Sequence, residues 1–530
     1  GVPFEEFDLR YIWPFLCVPP LCAKETKKII MTDQLTRQQA DQGGEGNQIG
    51  WNTLHAMATY IFSRAPMRTV NILPGDRDAV RSLMSLMNEK DIFGWTPFHY
   101  ILSKYHTADD YWRQEVYPHW KNTFLEAGID PSQADVHEAT LIHHAARGGL
   151  YDTLKRLLKH PNANVNQTDK HGSTPLHCAA FANSKRTVEL LLEAECNPDI
   201  KDFSGRTAAD IATLLGYGDV CKLLLGEDHS LDSDSPWNYP PMLNLAFDGL
   251  SDFDMDSHEI SKQSTLDAKM RKLCNAENAE AFFSSILKSS VLGHSEYQEN
   301  CFQEESMQVN HEVQQLLERM SEVHKQTYPH LAFSIQLRGS AKEKTKCGFA
   351  DEFDVMLRLT EFAKCCKGEV VEQERMKLFC TEPNDAIRPY LKGDYVNAEI
   401  LHNHFIYSLL TTIFHSKMWN GSQLIFAGFR CMKVGGELHL VYNGPLCKLL
   451  HISIDLVPCI QLLVHDPMPT VFDRLSKSCG VEWPVPVDFS SCHFFAVFNF
   501  EFLINDLECI LMIRNFVSAI IFSFFFIHQT

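Results

Sequence analysis

Arg338-Gly-Ser340-Ala-Lys-Glu-Lys-Thr-Lys346-Cys-Gly-Phe-Ala-Asp351-Glu352-Phe353-Asp354-Val-Met-Leu-Arg-Leu359 decides how the second half of the chain is read. Just upstream, Leu331-Ala-Phe-Ser-Ile-Gln-Leu337 alternates apolar and polar positions and predicts a short strand. Gly339-Ser340 closes that strand and opens a polar turn containing Lys346, and a glycine there lets the backbone approach a phosphate closely. Glu352 and Asp354 are two residues apart, so on a strand they share one face. Phe353, Val355, Leu357 and Leu359 share the other, facing a core. Two carboxylates side by side on an otherwise apolar strand repel each other, and a divalent cation resolves the repulsion.

A tight metal pair needs a third carboxylate. Asp455, in His451-Ile-Ser-Ile-Asp455-Leu-Val-Pro458, is the best candidate, because Ile452, Ile454 and Leu456 alternate with Ser453, Asp455 and Val457. Leu438-His-Leu-Val-Tyr442 predicts the strand before it, and Asn443-Gly444 predicts a hairpin turn between the two. The Asp455 strand is thereby expected to pair near that of Glu352 and Asp354. Further upstream, Val309, Val313, Leu316, Leu317, Met320 and Val323 fall on one face at helical spacing and predict a long helix ending before Tyr328-Pro329.

Gly-Ser, then Lys346, then Glu-Phe-Asp-Val-Met closely resembles cyclic GMP-AMP synthase and the cGAS-like receptors. Ile-Asp-Leu-Val-Pro resembles the third-acid strand of those proteins and of the wider Mab-21 family. The resemblance covers about residues 300–470. It implies a mixed-sheet, polymerase-beta-like nucleotidyltransferase domain with a long spine helix. By the same resemblance, Glu352, Asp354 and Asp455 would hold two Mg²⁺ (or Mn²⁺) ions and form the catalytic set. Gly339, Ser340 and Lys346 would bind nucleotide phosphate, and the product from ATP and GTP would be a cyclic dinucleotide or a short oligonucleotide. The alternative is a catalytically inactive Mab-21-type scaffold that keeps the fold alone. Only 75 residues follow Asp455, so the helical lobe that follows the third acid in that family is expected to be cut short in this chain, and those residues offer none of the clustered His/Cys ligands of the vertebrate DNA sensor's zinc thumb. DNA is therefore disfavoured as an activating ligand relative to double-stranded RNA, another ligand or a protein.

The N-terminal half repeats itself. Gly50-Trp-Asn-Thr-Leu-His55, Gly94-Trp-Thr-Pro-Phe-His99, Thr140-Leu-Ile-His143 and Gly172-Ser-Thr-Pro-Leu-His177 align on a histidine, and Gly205-Arg-Thr-Ala-Ala-Asp210 is a degenerate fifth unit. The intervals of 44, 44, 34 and 33 residues approach the 33-residue period of ankyrin repeats, which these motifs resemble. One histidine per stacked unit is a turn device, not a metal ligand. The repeats imply an α-solenoid that offers a concave surface to a protein partner. The expected layout is a poorly defined segment 1–44, ankyrin repeats over 45–226, an acidic linker over 227–265, the nucleotidyltransferase-like domain over 266–486 and an atypical hydrophobic tail over 487–530. Within the linker, Asp252-Phe-Asp-Met-Asp256 reads as plain linker or as an acidic docking motif.

Lys and Arg number 48 against 67 Asp and Glu, and a net charge of −19 argues against a protein that coats nucleic acid by charge. The 17 cysteines form no C-x-x-C pair, which suits reduced thiols and a cytoplasmic location. Met31 is the first methionine, so residues 1–30 read as sequence upstream of the true start or as part of an N-terminal fragment. The run 509–527 reads as a mistranslated or truncated tail, a membrane anchor or a buried segment.

Overall fold

The computed structural model describes residues 48–59, 86–105, 112–226, 296–338, 349–372, 375–432, 435–462 and 494–497. Gly339, Ser340, Lys346, the acidic linker and the 509–527 run lie outside these residues. Among the described residues, no helix is long and apolar enough to cross a membrane.

The first half is a stack of short helices. They are α1 (Thr53–Thr59), α2 (Pro97–Lys104), α3 (Tyr117–Glu126), α4 (Leu141–Arg147), α5 (Tyr151–Leu157), α6 (Pro175–Phe181), α7 (Lys185–Glu193), α8 (Ala208–Leu214) and α9 (Gly218–Leu225). The longer second unit contains a π-helical turn, Trp112–Val116, that leads into α3. The aligned histidines act at the helix starts. His143 Nδ1 accepts from the Thr140 backbone N–H at 3.1 Å, and His177 Nδ1 from Thr174 at 3.1 Å. The other ring nitrogen meets a carbonyl of the next unit, Ser173 for His143 at 3.1 Å and Arg206 for His177 at 3.0 Å. A carbonyl only accepts, so each ring is the neutral Nε2–H tautomer, which caps its own helix and bridges to the neighbour.

A second recurring device was not read from the sequence. Asp91, Asp135, Asp169 and Asp202 each accept two backbone N–H groups across the finger turn before a repeat. The fingers are laddered to one another, Val136 N–H to Phe93 carbonyl at 2.9 Å and Lys170 N–H to His137 carbonyl at 2.9 Å. The turns need a left-handed residue: Gly94 supplies φ 72° and Gly172 φ 77°, while Glu138 takes φ 62° in the third unit.

The second half opens with the expected spine helix α10 (Glu296–Thr327), 32 residues long. Val309, Val313, Leu316, Leu317, Met320 and Val323 are all buried. The main sheet contains β1 (Phe333–Arg338), β2 (Glu352–Leu359), β7 (Leu424–Cys431), β8 (Gly436–Tyr442), β9 (Leu450–Leu462) and β10 (Phe494–Val497). Its order is β1-β2-β9-β8-β7, with β2 and β9 parallel and the other pairs antiparallel. β10, from within the 487–530 segment, pairs with the far end of β9. A smaller sheet of β3 (Cys366–Glu372), β4 (Arg375–Cys380), β5 (Leu391–Lys392) and β6 (Tyr395–Val396) follows the short helix α11 (Thr360–Cys365). Helix α12 (Ala398–Ile413) packs on α10, where His324 contacts Ser408 Oγ at 2.9 Å.

The two halves share one core. The Trp51 ring lies 5.0 Å from Phe414 and 5.3 Å from Phe426, and Phe93 lies 4.9 Å from Trp419. The link between β8 and β9 is a seven-residue loop, 443–449, and not the tight Asn-Gly turn the sequence suggested. Tertiary contacts override the turn signal: the Asn443 side chain donates to Asp169 at 2.9 Å, and its own carbonyl accepts from His171 at 3.0 Å. Lys448, fully buried, donates to the Gly444 carbonyl at 3.3 Å and lies 3.6 Å from Asp202. From the opposite side, Glu305 of α10 accepts from Leu446 N–H at 2.8 Å and Cys447 N–H at 3.0 Å. The loop is thus clamped between the repeat fingers and the spine helix.

Candidate functional site

Strand alternation puts the acids where a site can form. Along β2, Phe353, Val355, Leu357 and Leu359 are buried, whereas Glu352 is exposed and Asp354 half-buried. Along β9, Ile452, Ile454 and Leu456 are buried and Asp455 is half-buried. The parallel pairing of β2 with β9 sets Asp354 directly opposite Asp455 and Glu352 opposite Ser453. Neighbouring strands are about 4.8 Å apart, so the three carboxylates expected to converge do share one patch of one face.

The register extends this patch into a row across five strands. Arg338 on β1 faces Asp354, Asp354 faces Asp455, Asp455 faces Glu437 on β8, and Glu437 faces Arg430 on β7. Arg430 is ion-paired with Glu437. Three anions therefore stand side by side with a guanidinium at each end. Burial, reinforced by the charges of Glu437, Asp354 and Glu352, pushes the Asp455 carboxyl up to about 6. That is the electrostatic state expected of acids whose counter-charge comes from a ligand.

Glu437 and His439 were missed from the sequence. The strand begins at Gly436, two residues before the expected Leu438, and Glu437 and His439 alternate with Leu438 and Leu440 in the same way as the acids of β2. Burial holds His439 neutral, down to about 4, and its Nε2 lies 3.8 Å from the Glu437 carboxylate.

The acids form an open row, not a closed cage. Among the described residues, the three-membered group of potential ligands whose atoms all lie within 4.8 Å of one another is the sulfurs of Cys365, Cys366 and Cys380. An open groove of about 1430 Å³ runs beside edge strand β1 and the spine helix, lined by residues such as Glu318, Ser334, Gln336 and Asn384. None of Glu352, Asp354, Glu437 and Asp455 lines it.

Comparison with known proteins bears on the first half. A family model for ankyrin repeats, in three copies, matches residues 122–202 and 141–235. The N-terminal half carries ankyrin repeats. Inversin from Homo sapiens is 36% identical over 165 residues, 30% of this chain and 14% of inversin. The homolog of transient receptor potential cation channel subfamily A member 1 from Caenorhabditis elegans is 33% identical over 133 residues, 24% of this chain and 11% of that protein. Ankyrin repeat domain-containing protein 37 from Bos taurus is 36% identical over 101 residues, 19% of this chain and 63% of that protein. The match to inversin and to the channel homolog thus spans only a small part of those proteins' length. Helical ankyrin repeats followed by a mixed-sheet region is the architecture, and the repeats suggest protein–protein interaction.

Proposed function

We propose that the second half is a metal-dependent nucleotidyltransferase, similar to the cyclic GMP-AMP synthase and Mab-21 families, that joins ATP or GTP into a cyclic dinucleotide or short oligonucleotide. The observation that carries the reading is the pairing of Asp354 with Asp455, with Glu352 two residues along the same strand face. These three carboxylates suit hard divalent cations, which take oxygen ligands. When bound, a Mg²⁺ or Mn²⁺ pair would lower the pKa of an attacking ribose hydroxyl and stabilise the leaving pyrophosphate. Arg338 and Arg430 would bracket the row and limit the net negative charge that triphosphate meets. Gly339 and Ser340 follow Arg338 directly in the chain, Lys346 comes six residues after Ser340, and the three are the proposed phosphate-binding turn.

The repeats would serve as the regulatory half. Their fingers hold the loop that connects the strands bearing Glu437 and Asp455, so a protein partner or activating ligand on the repeats acts on the acid row through loop 443–449.

The test is incubation of the full chain with ATP, GTP and Mg²⁺ or Mn²⁺, with and without double-stranded RNA. A phosphatase-resistant product that disappears in Asp354→Asn supports the proposal. No product in any condition, with no divalent-cation binding, favours the inactive scaffold.

A further inference from the structure

We infer that Cys365, Cys366 and Cys380 form a second, thiolate metal site, and that its ion is zinc. Linear spacing shows only the adjacent Cys365-Cys366 pair, because the β3–β4 hairpin separates Cys380 from it in the chain. Antiparallel register makes Cys366 and Cys380 Cα partners, while Cys365 is the last residue of α11 and Cys366 the first of β3. The three sulfurs lie within 4.8 Å of one another, and those of Cys365 and Cys366 are 3.9 Å apart. In a tetrahedral zinc site with Zn–S bonds of about 2.3 Å, neighbouring sulfurs are about 3.8 Å apart. The spacing thus fits shared coordination, and it greatly exceeds the ~2.05 Å of an S–S bond.

The backbone around the sulfurs is fixed. Thr381 donates both its N–H, at 2.8 Å, and its hydroxyl, at 3.1 Å, to the Cys365 carbonyl. The Cys380 N–H donates to the Asp394 carbonyl at 2.8 Å. Rigid elements therefore carry all three ligands, as a preorganised metal site requires. Three thiolates and Zn²⁺ leave one net negative charge. Water would complete the coordination. Burial pushes the Cys365 thiol up to about 11 and the Cys366 thiol higher still, so these two are protonated without metal. Each ligand thiol releases its proton to solvent as a Zn–S bond forms. The ion would pin the α11–β3 junction, which directly follows the acid-bearing β2, to the end of β4.

The decisive experiment is elemental analysis of the full chain, expressed with zinc and purified under reducing conditions. Cys366→Ser and Cys380→Ser are compared with Cys459→Ser, a buried cysteine outside the cluster. The native chain and Cys459→Ser should carry about one zinc per chain, and the two cluster variants should lose it. Because a cluster variant can fail to fold, the native chain is also loaded with Co²⁺. A thiolate-to-cobalt charge-transfer band that one equivalent of Zn²⁺ abolishes supports the site. A native chain with neither zinc nor that band, zinc retained in both cluster variants, or a Cys366–Cys380 disulfide in peptide mapping would each overturn it.

Discussion

Asp354 and Asp455 stand directly opposite each other on neighbouring parallel strands, although 100 residues separate them in the chain. Neither is sunk in hydrocarbon, and the charge of Asp354 adds to the cost of ionising Asp455. Asp455→Asn should therefore reduce product formation on the order of 100-fold or more, because a group stabilising transition-state charge is lost. The same change should leave Tm at pH 7 unchanged or higher, because repulsion is relieved. Chromatography of the nucleotide product and calorimetry of the same sample check both halves of the expectation.

Glu437 borders the row but is ion-paired with Arg430. Glu437→Gln removes a like charge beside Asp455 without removing one of the proposed ligands. Activity should stay within a few-fold of the native chain, and its pH profile should extend to lower pH as the Asp455 carboxyl moves back toward its ordinary value. A loss as deep as that of Asp455→Asn would make Glu437 a ligand instead.

What was legible followed from side chains that alternate. The acids of β2 and β9 and the apolar face of α10 each show a period of two or of 3.6 in a short window, because each element buries one face. Long-range docking leaves no such trace. Lys448 reads as an ordinary loop lysine, yet it is fully buried because the finger carrying Asp202 and the helix carrying Glu305 close on its loop from two sides. Cys380 is silent for the same reason, since only the register of β4 on β3 brings it to its partners.

Lys448→Met should cost about 3 kcal/mol, the scale for breaking one side of a buried ion pair. The Trp51 and Phe93 contacts make the two halves one core, so the native chain should unfold in one transition. With the loop clamp weakened, scanning calorimetry should resolve two.

His143 bridges two repeats through the Ser173 carbonyl, whereas the Nε2 of His99 has no hydrogen-bond partner among the described residues. His143→Ala removes a cap and leaves a buried carbonyl unpaired, a loss of about 2–4 kcal/mol. His99→Ala lacks the bridging part, so urea midpoints should show it as the milder change of the two.

Acid should destabilise the protein through its buried imidazoles. Burial lowers His324 to about 3, His137 to about 4 and His439 to about 4. The unfolded chain binds protons at these sites below about 6.5 while the folded chain does not, so their contribution is complete above that pH and is lost between about 6.5 and 4. His324→Gln keeps a partner for Ser408 and removes one titrating group. Its Tm should fall less than that of the native chain between pH 7 and pH 5.

Titration of the full chain with Mn²⁺, followed by electron paramagnetic resonance, reads the acid row without relying on turnover. Two bound ions per chain, with binding lost in the Asp354→Asn, Asp455→Asn double variant at unchanged folding, is the predicted result. Equal binding by the native chain and a folded double variant, or none by either, would contradict the assignment of Glu352, Asp354 and Asp455 as a metal-holding set.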